Sequence, residues 1–123
     1  MSVLASPTTL ERYYAAVDAD RIDDAMTLVA EDVRFAILLP ARAVRGEGRQ
    51  GLVDYLSGRG DVVRRHVPKR SAVSEDVEFV YGSVVEDEQT VTGHFLASAR
   101  VGSDGLISAY QVAFDPELGL IPE

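Results

Sequence analysis

The sequence predicts an α+β fold in which three N-terminal helices pack on one face of a strongly bent, mixed or antiparallel β-sheet. Apolar residues recur at helical spacing only in the first half of the chain. That spacing disappears after the pair Gly58 and Gly60, and strand-forming residues separated by turn signals follow from Arg64 onward. Helices followed by strands in one chain indicate a helical layer that covers one side of an antiparallel sheet.

Three helices are predicted before residue 60. The first has apolar residues at the spacing of one helix face, namely Leu10, Tyr13, Tyr14 and Val17. Ser6 is its expected N-cap, with Pro7 in the first turn. The sequence Asp20 to Asp23 can form a capping box for a short second helix that continues through Val29 and stops near Ala30. A third helix is expected around residues 52–56, closed by the glycine pair.

Four strands account for most of the remaining chain. Residues 33–37 form the first, and Pro40 prevents it from continuing as a central strand. Three long segments follow, with acidic or glycine turns between them: 77–85, 90–101 and 106–114. Their order and short connections predict an antiparallel meander.

Composition limits the functions that the chain can have. With 123 residues, of which 46% are hydrophobic, it is expected to fold as one domain spanning residues 1–123. A net charge of −8 argues against nucleic-acid binding, because phosphate backbones would be repelled. Without cysteine there are no disulfides or thiolate metal sites, which suits the reducing cytoplasm. No segment has the features of a signal peptide or a membrane span, so no membrane association is predicted.

Asp18 and His66 are the strongest candidates for catalysis. A carboxylate that accepts a hydrogen bond from one ring nitrogen leaves the other nitrogen of an imidazole ready to take or deliver a proton. Asp18 lies at the end of the first helix, and His66 lies in the run Arg64 to Val67. The alternatives are a solvated aspartate in a turn and a surface histidine in a basic strand.

The order of elements and several short segments resemble the SnoaL-like branch of the nuclear transport factor 2-like superfamily. The segments are Tyr13 to Asp18, Ile22-Asp23, Ala30 to Val33, Gly48 to Leu52, and Arg65-His66. The resemblance implies a cone-shaped α+β fold with an internal pocket between helices and sheet. It also implies that Asp18 and His66 match the acid/base pair of the dehydratase members.

Comparison with ketosteroid isomerase, another member of the superfamily, argues against that reaction in its familiar form. Tyr13 matches the oxyanion-binding tyrosine, but Ile37 and Leu96 stand where a general base and a second oxyanion donor would be needed. Two of the three required groups are therefore missing, and Ile37 and Leu96 are expected to line the pocket instead.

The alternation of residues along the strand 90–101 leaves two possible faces for the pocket. If Leu96 points into the cone, as the resemblance implies, His94 and Ser98 line the pocket too. The opposite, apolar face would then be uncovered, which predicts a homodimer that packs sheet against sheet. In the alternative, Phe95 lines the pocket and His94 is exposed.

Tyrosines supply the remaining polar candidates. Tyr13, Tyr14, Tyr55 and Tyr110 are candidates for substrate binding through their hydroxyls, although tyrosines at such spacing can also be simple core residues. The basic residues near His66 are interpreted as a solvated rim, with Pro68 marking an edge strand or a bulge. The alternative is that one of these arginines holds an anionic substrate at the mouth of the cone.

Two functions of different classes remain. The first is a cofactor-independent lyase, cyclase or isomerase that acts on a small apolar or oxygenated organic molecule, with no metal. In it His66 is the acid/base, Asp18 orients the ring, and Tyr13 or Tyr14 donates a hydrogen bond. The second is a non-catalytic ligand-binding or dimerisation domain with the same cone.

Overall fold

The computed structural model describes residues 7–58, 63–87 and 89–122, and it confirms an α+β fold with three helices on a six-stranded mixed sheet. Within this part of the chain no helix is both long and apolar enough to cross a membrane. The elements, in chain order, are α1 Thr9–Asp18, α2 Ile22–Met26, β1 Val29–Leu38, β2 Ala43–Glu47, α3 Arg49–Ser57, β3 Arg64–Ser74, β4 Val77–Glu86, β5 Thr90–Val101 and β6 Ile107–Asp115.

The strands form one sheet in the order β2-β1-β6-β5-β4-β3. The predicted meander is present, because β4, β5 and β6 pair as consecutive antiparallel neighbours, and β3 extends it by pairing antiparallel with β4. β1 joins the sheet by pairing parallel to β6, and β2 pairs antiparallel with β1 at the edge. Pro68 lies on the other edge strand, β3, next to a register shift, as its lack of an N–H predicts.

Helix α1 is fixed at its N-terminus by two carboxylates. Thr8 and Glu11 form a capping box. The buried Glu78 of β4 accepts hydrogen bonds from the backbone N–H groups of Thr9 and Leu10, at 3.2 Å and 3.0 Å. Thr8 is therefore the N-cap, so the prediction that Pro7 occupies the first turn is wrong; Ser6 lies outside the described residues.

Helix α2 and strand β1 meet earlier than predicted. The helix ends at Met26, and its N-cap, Arg21, makes no side-chain capping bond, so the predicted capping box is wrong. Val29 belongs to β1 because its backbone pairs with Ile107 of β6. An apolar residue at helical spacing thus lies in the sheet, since tertiary pairing outweighs a weak local preference.

Strand β2 and the start of α3 were not predicted. β2 is short and mostly exposed, and it carries neither alternation nor β-branched residues apart from Val44, so the sequence contains little signal for it. α3 begins at Arg49 and is closed by Gly58, as predicted, whereas Gly60 lies outside the described residues.

The helices cover the face of β5 that carries Phe95, Ala97 and Ala99, all of which are buried. The prediction that Leu96, His94 and Ser98 point into the cone is therefore wrong, and Leu96 is 51% exposed. The small side chains of Ala97 and Ala99 let the helices pack close to the sheet. The bulkier side chains of His94 and Leu96 lie on the opposite, uncovered face. The alternative stated above, with Phe95 inside, is the observed one.

Candidate functional site

Asp18 binds His66 twice. Its Oδ1 atom lies 2.9 Å from His66 Nδ1, and its Oδ2 atom accepts a hydrogen bond of 2.6 Å from the His66 backbone N–H. The His66 side chain is 3% exposed and that of Asp18 is 12% exposed. The last residue of α1 and an inward-facing residue of β3 are thus joined in a shielded position, where a hydrogen bond is stronger than in water.

Aromatic rings hold the imidazole on several sides. Tyr14 of α1 stacks on it with ring centroids 4.2 Å apart and an interplanar angle of 22°. Phe95 packs edge-on at 5.1 Å, and Phe114 lies at 6.0 Å. With the ring orientation fixed by packing and by Asp18, no rearrangement is needed to aim the second nitrogen.

The second ring nitrogen, Nε2, makes no hydrogen bond within residues 7–58, 63–87 and 89–122. In the same residues every fully buried side-chain nitrogen or oxygen has a hydrogen-bond partner. Because Nε2 has none, it is not fully buried, and the surface that it exposes faces the cavity that His66 lines. An imidazole with one nitrogen bound to a carboxylate and the other open to a cavity has the geometry of a general acid or base.

A tyrosine pair lies next to the imidazole. The hydroxyl groups of Tyr14 and Tyr110 form one hydrogen bond, in which either can donate to the other. Burial raises the pKa of Tyr14 well above its usual value, and the nearby Asp18 carboxylate adds to this effect. Burial raises the pKa of Tyr110 likewise. Both hydroxyls are therefore neutral at physiological pH, and the accepting hydroxyl keeps a proton for a further hydrogen bond.

The cavity has two parts that share His66, Tyr55 and Phe114. The outer part is an open cleft of about 800 Å³ between β1, β2, α3 and the ends of the central strands. The inner part is a void of about 20 Å³ walled by Tyr13, Tyr14, Ile37 and Tyr110, among others. The cleft has the size of a small-molecule site, whereas the void has room for about one water molecule.

The mouth of the cleft carries charges of both signs. Arg64 forms a half-buried ion pair with Glu86 at 3.3 Å. The other charged residues at the mouth are Arg42, Arg45, Glu47, Asp54 and Asp115. A mouth with this mixture does not select strongly for ligand charge, so the apolar wall and the imidazole dominate the interior.

Most predicted site residues come together in this cavity. Asp18, His66, Tyr13, Tyr14, Ile37, Tyr55 and Tyr110 all lie in or beside it. The three that do not are Leu96, Ser98 and His94, all on the outer face of β5, where the His94 ring packs against Gly119. Sequence reasoning missed Phe114, whose alternation with Tyr110 and Val112 was the available signal.

No group of three or more histidine, aspartate or glutamate side chains in the described residues could hold a metal ion. Asp18 is committed to His66, and the carboxylates of the cleft mouth are dispersed around it.

A family model described as the SnoaL-like domain matches residues 10–113. The chain belongs to the SnoaL-like family. The resemblance seen in the sequence is therefore confirmed. Membership of this family supports a protein with a pocket between helices and sheet. No curated protein is significantly similar to the chain.

Solved structures show the same SnoaL-like cone. A candidate isomerase of the SnoaL-like family from Agrobacterium tumefaciens has a TM-score of 0.68 at 16% identity, covering 87% of this chain and 94% of its own. A candidate polyketide cyclase from Sinorhizobium meliloti has a TM-score of 0.69 at 16% identity, with the same coverage. A protein from Catenulispora acidiphila in complex with S-DNPA has a TM-score of 0.66 at 24% identity, covering 87% and 88%. Such identities show the fold alone.

Proposed function

We propose that this chain is a cofactor-independent lyase, cyclase or isomerase that uses His66 as acid/base on a small, largely apolar, oxygenated molecule. The observation that carries the proposal is the pairing of His66 Nδ1 with Asp18 at 2.9 Å, while Nε2 stays open to the cavity. Asp18 is the positioning residue, because it holds both the ring and the backbone of His66.

The surroundings of His66 suit a proton transfer on an oxygenated substrate. Nε2 would remove or deliver the proton, and the Tyr14–Tyr110 pair would donate a hydrogen bond to an oxygen atom that gains negative charge. Tyr13, Ile37 and Tyr55 would form the wall against the apolar part of the molecule. Similar structures described as a candidate isomerase and a candidate polyketide cyclase are consistent with such chemistry.

One observation favours a non-catalytic ligand-binding domain as the second candidate. The inner void next to Tyr14 and Tyr110 measures only about 20 Å³, so a ligand must either stay in the cleft or displace side chains. A protein that only binds would need the cleft but not an imidazole with an open nitrogen.

The homodimer predicted from the sequence would use the outer face of the sheet. The premise that the Phe95 face is uncovered is wrong, since the helices cover it, but the outer face carries its own apolar residues. Phe79 and Leu96 are 40% and 51% exposed there, and they flank Tyr81. Leu118 and Leu120 are more exposed still. A second copy of the chain would bury these side chains.

Turnover of simple β-hydroxy ketones, followed by the ultraviolet absorbance of the conjugated ketone formed, tests the catalytic proposal. His66→Gln should lower turnover about 100-fold or more, because it removes the proton-transferring group. His94→Gln is the matched control, since His94 is the chain's other histidine and lies on the outer face.

Equal turnover by the parent and the His66→Gln protein would overturn the proposal. Saturable binding in the cleft by a β-hydroxy ketone, seen as amide shifts of Thr92 and Gly93, without turnover by the parent would support the non-catalytic candidate instead.

A further inference from the structure

A second cavity of about 750 Å³ lies on the outer face of the sheet, across the sheet from the helices. Two rows of paired residues form its floor and sides. One row runs Glu47, Arg34, Ala109, Arg100 and Val77 across five strands, and the next runs Arg45, Ala36, Gln111 and Ser98. All of these residues line the cavity, which is called the outer groove below.

Positive charge is concentrated in the outer groove although the whole chain carries a net charge of −8. Arg34, Arg45 and Arg100 line it, against the single carboxylate of Glu47. Within the described residues Arg34 and Arg45 form no ion pair. Arg100 binds the exposed Asp76 through Nε only, at 2.8 Å. Unpaired guanidinium groups at the edge of a concave surface are a recurrent feature of anion sites.

The register of the strands sets the spacing of these cations. Ala109 lies between Arg34 and Arg100, so their backbones are about 10 Å apart, two strand spacings across the sheet. The alanine leaves the floor open between them, and two long side chains can grip the same ligand from opposite sides.

Hydrogen-bonding groups lie in the neighbouring row. Ser98 and Gln111 are cross-strand partners, and neither side chain makes a hydrogen bond to another part of the chain that the structure describes. A hydroxyl and an amide in the row next to Arg34 and Arg100 add directional donors to the positive charge.

We propose that the outer groove binds a small organic anion that carries at least two carboxylate or phosphate groups. Its volume suits a small molecule, and its charge opposes that of the rest of the protein. Arg34 and Arg100, on backbones about 10 Å apart, can each bind a different anionic group of one ligand. Neither Asp18 nor His66 lines the outer groove, whereas Arg45 and Glu47 line both the groove and the cleft.

Titration with citrate and, separately, with inorganic pyrophosphate tests this site, with heat of binding and amide shifts as readouts. At least one probe should bind saturably and shift the amides of Ala109 and Gln111. The carboxylate and phosphate arms identify which anionic group the site prefers. Arg34 and Arg100 line the outer groove but not the cleft. The double variant Arg34→Gln with Arg100→Gln should weaken binding of that probe about tenfold or more, because each substitution removes a charge-assisted hydrogen bond to the anion.

Arg70→Gln is the matched control, because Arg70 lies on the opposite edge strand and does not line the groove. Ser98→Asp is the second variant, which places a negative charge beside Arg100 on β5 and should also weaken binding about tenfold or more. The proposal is overturned if neither probe binds, if Arg70→Gln weakens binding as much as the double variant, or if the shifts fall on cleft residues instead.

Discussion

At the scale of single residues, one carboxylate fixes both the position and the ring orientation of His66. Since Asp18 contacts the backbone N–H and Nδ1 together, the imidazole cannot rotate without losing a hydrogen bond. In the neutral ring the proton is then favoured on Nδ1, and Nε2 carries the lone pair that faces the cavity. This is the tautomer that the proposed general-base role of His66 requires.

The Tyr14–Tyr110 pair gives the protein a specific alkaline sensitivity. Burial raises the pKa of both hydroxyls, so the native state keeps protons that the unfolded chain releases above about pH 10. Below that pH both hydroxyls are protonated in the native and the unfolded state, so the pair adds no pH dependence to the free energy of unfolding. It should fall as pH rises from about 10 toward the raised native pKa values, by up to about 1.4 kcal/mol per pH unit for each tyrosine.

Urea unfolding between pH 8 and 11 measures this effect. In a protein with Tyr14→Phe and Tyr110→Phe the decline above pH 10 should be shallower than in the parent. An unchanged slope would show that the pair is not its source.

Site residues could be predicted where a short segment of sequence carries the family pattern, and not where only a contact between distant positions reveals them. Asp18 and His66 followed from the resemblance, because each lies in a short segment typical of the family. The bond between Tyr14 and Tyr110 could not be predicted, because it joins positions 96 residues apart through the packing of α1 on β6.

At the scale of elements, strand β5 shows why alternation predicts two faces but not which one is covered. Its bounds, Thr90–Val101, agree with the prediction, yet the inner and outer faces are reversed. The outer set includes polar residues that look suited to a pocket, whereas the inner set consists of a phenylalanine and small residues that accommodate helices. Only the position of the helices decides between the two, and that is tertiary information.

The backbones of β3 and β4 approach each other closely at Gly82. A Cβ built on Gly82 lies 2.9 Å from the carbonyl carbon of Val67 and closer still to its oxygen, next to the register shift after Pro68. We expect Gly82→Ala to lower the free energy of unfolding by about 2 kcal/mol or more, because backbone atoms must move.

Gly58→Ala is the control for that substitution. A Cβ at Gly58 meets only ordinary contacts, at 3.5 Å or more, and the expected change is within about 0.5 kcal/mol. Denaturant unfolding measures both proteins, and equal losses would show that the approach at Gly82 is not limiting.

At the scale of the whole molecule, the sheet separates two cavities of different chemistry. The cleft on the helix side has an apolar wall and a mixed mouth, whereas the outer groove is cationic. Edge strand β2 contributes to both, and at Gly46 it passes directly over the Phe35 ring. The fold class could be predicted from the sequence, but the existence of two cavities could not, since it depends on the unpredicted β2.

The proposed dimer predicts a change of oligomeric state on loss of the outer apolar residues. Leu96→Glu should convert a dimer into a monomer in analytical ultracentrifugation, because a charge would be buried at the interface. Val73→Lys is the control, since Val73 is also exposed but lies on the edge strand opposite the inward-facing Glu78, where a positive charge is tolerated. A parent protein that sediments as a monomer would contradict the dimer.

Leu96 and Arg100 are four residues apart on β5, or about 13 Å along the strand. Phe79 of the proposed interface is, however, the cross-strand partner of Ser98, so the interface and the outer groove adjoin on this face of the sheet.

Helix α1 is held at both ends by carboxylates, Glu78 at its first backbone amides and Asp18 at its last residue. The number of residues in α1 therefore sets the distance and the angle between Glu78 and Asp18. Inserting one residue would advance Asp18 by about 1.5 Å and turn it by about 100° around the helix axis, away from His66. A single-residue insertion in α1 would consequently separate Asp18 from His66 even where the helix itself still forms.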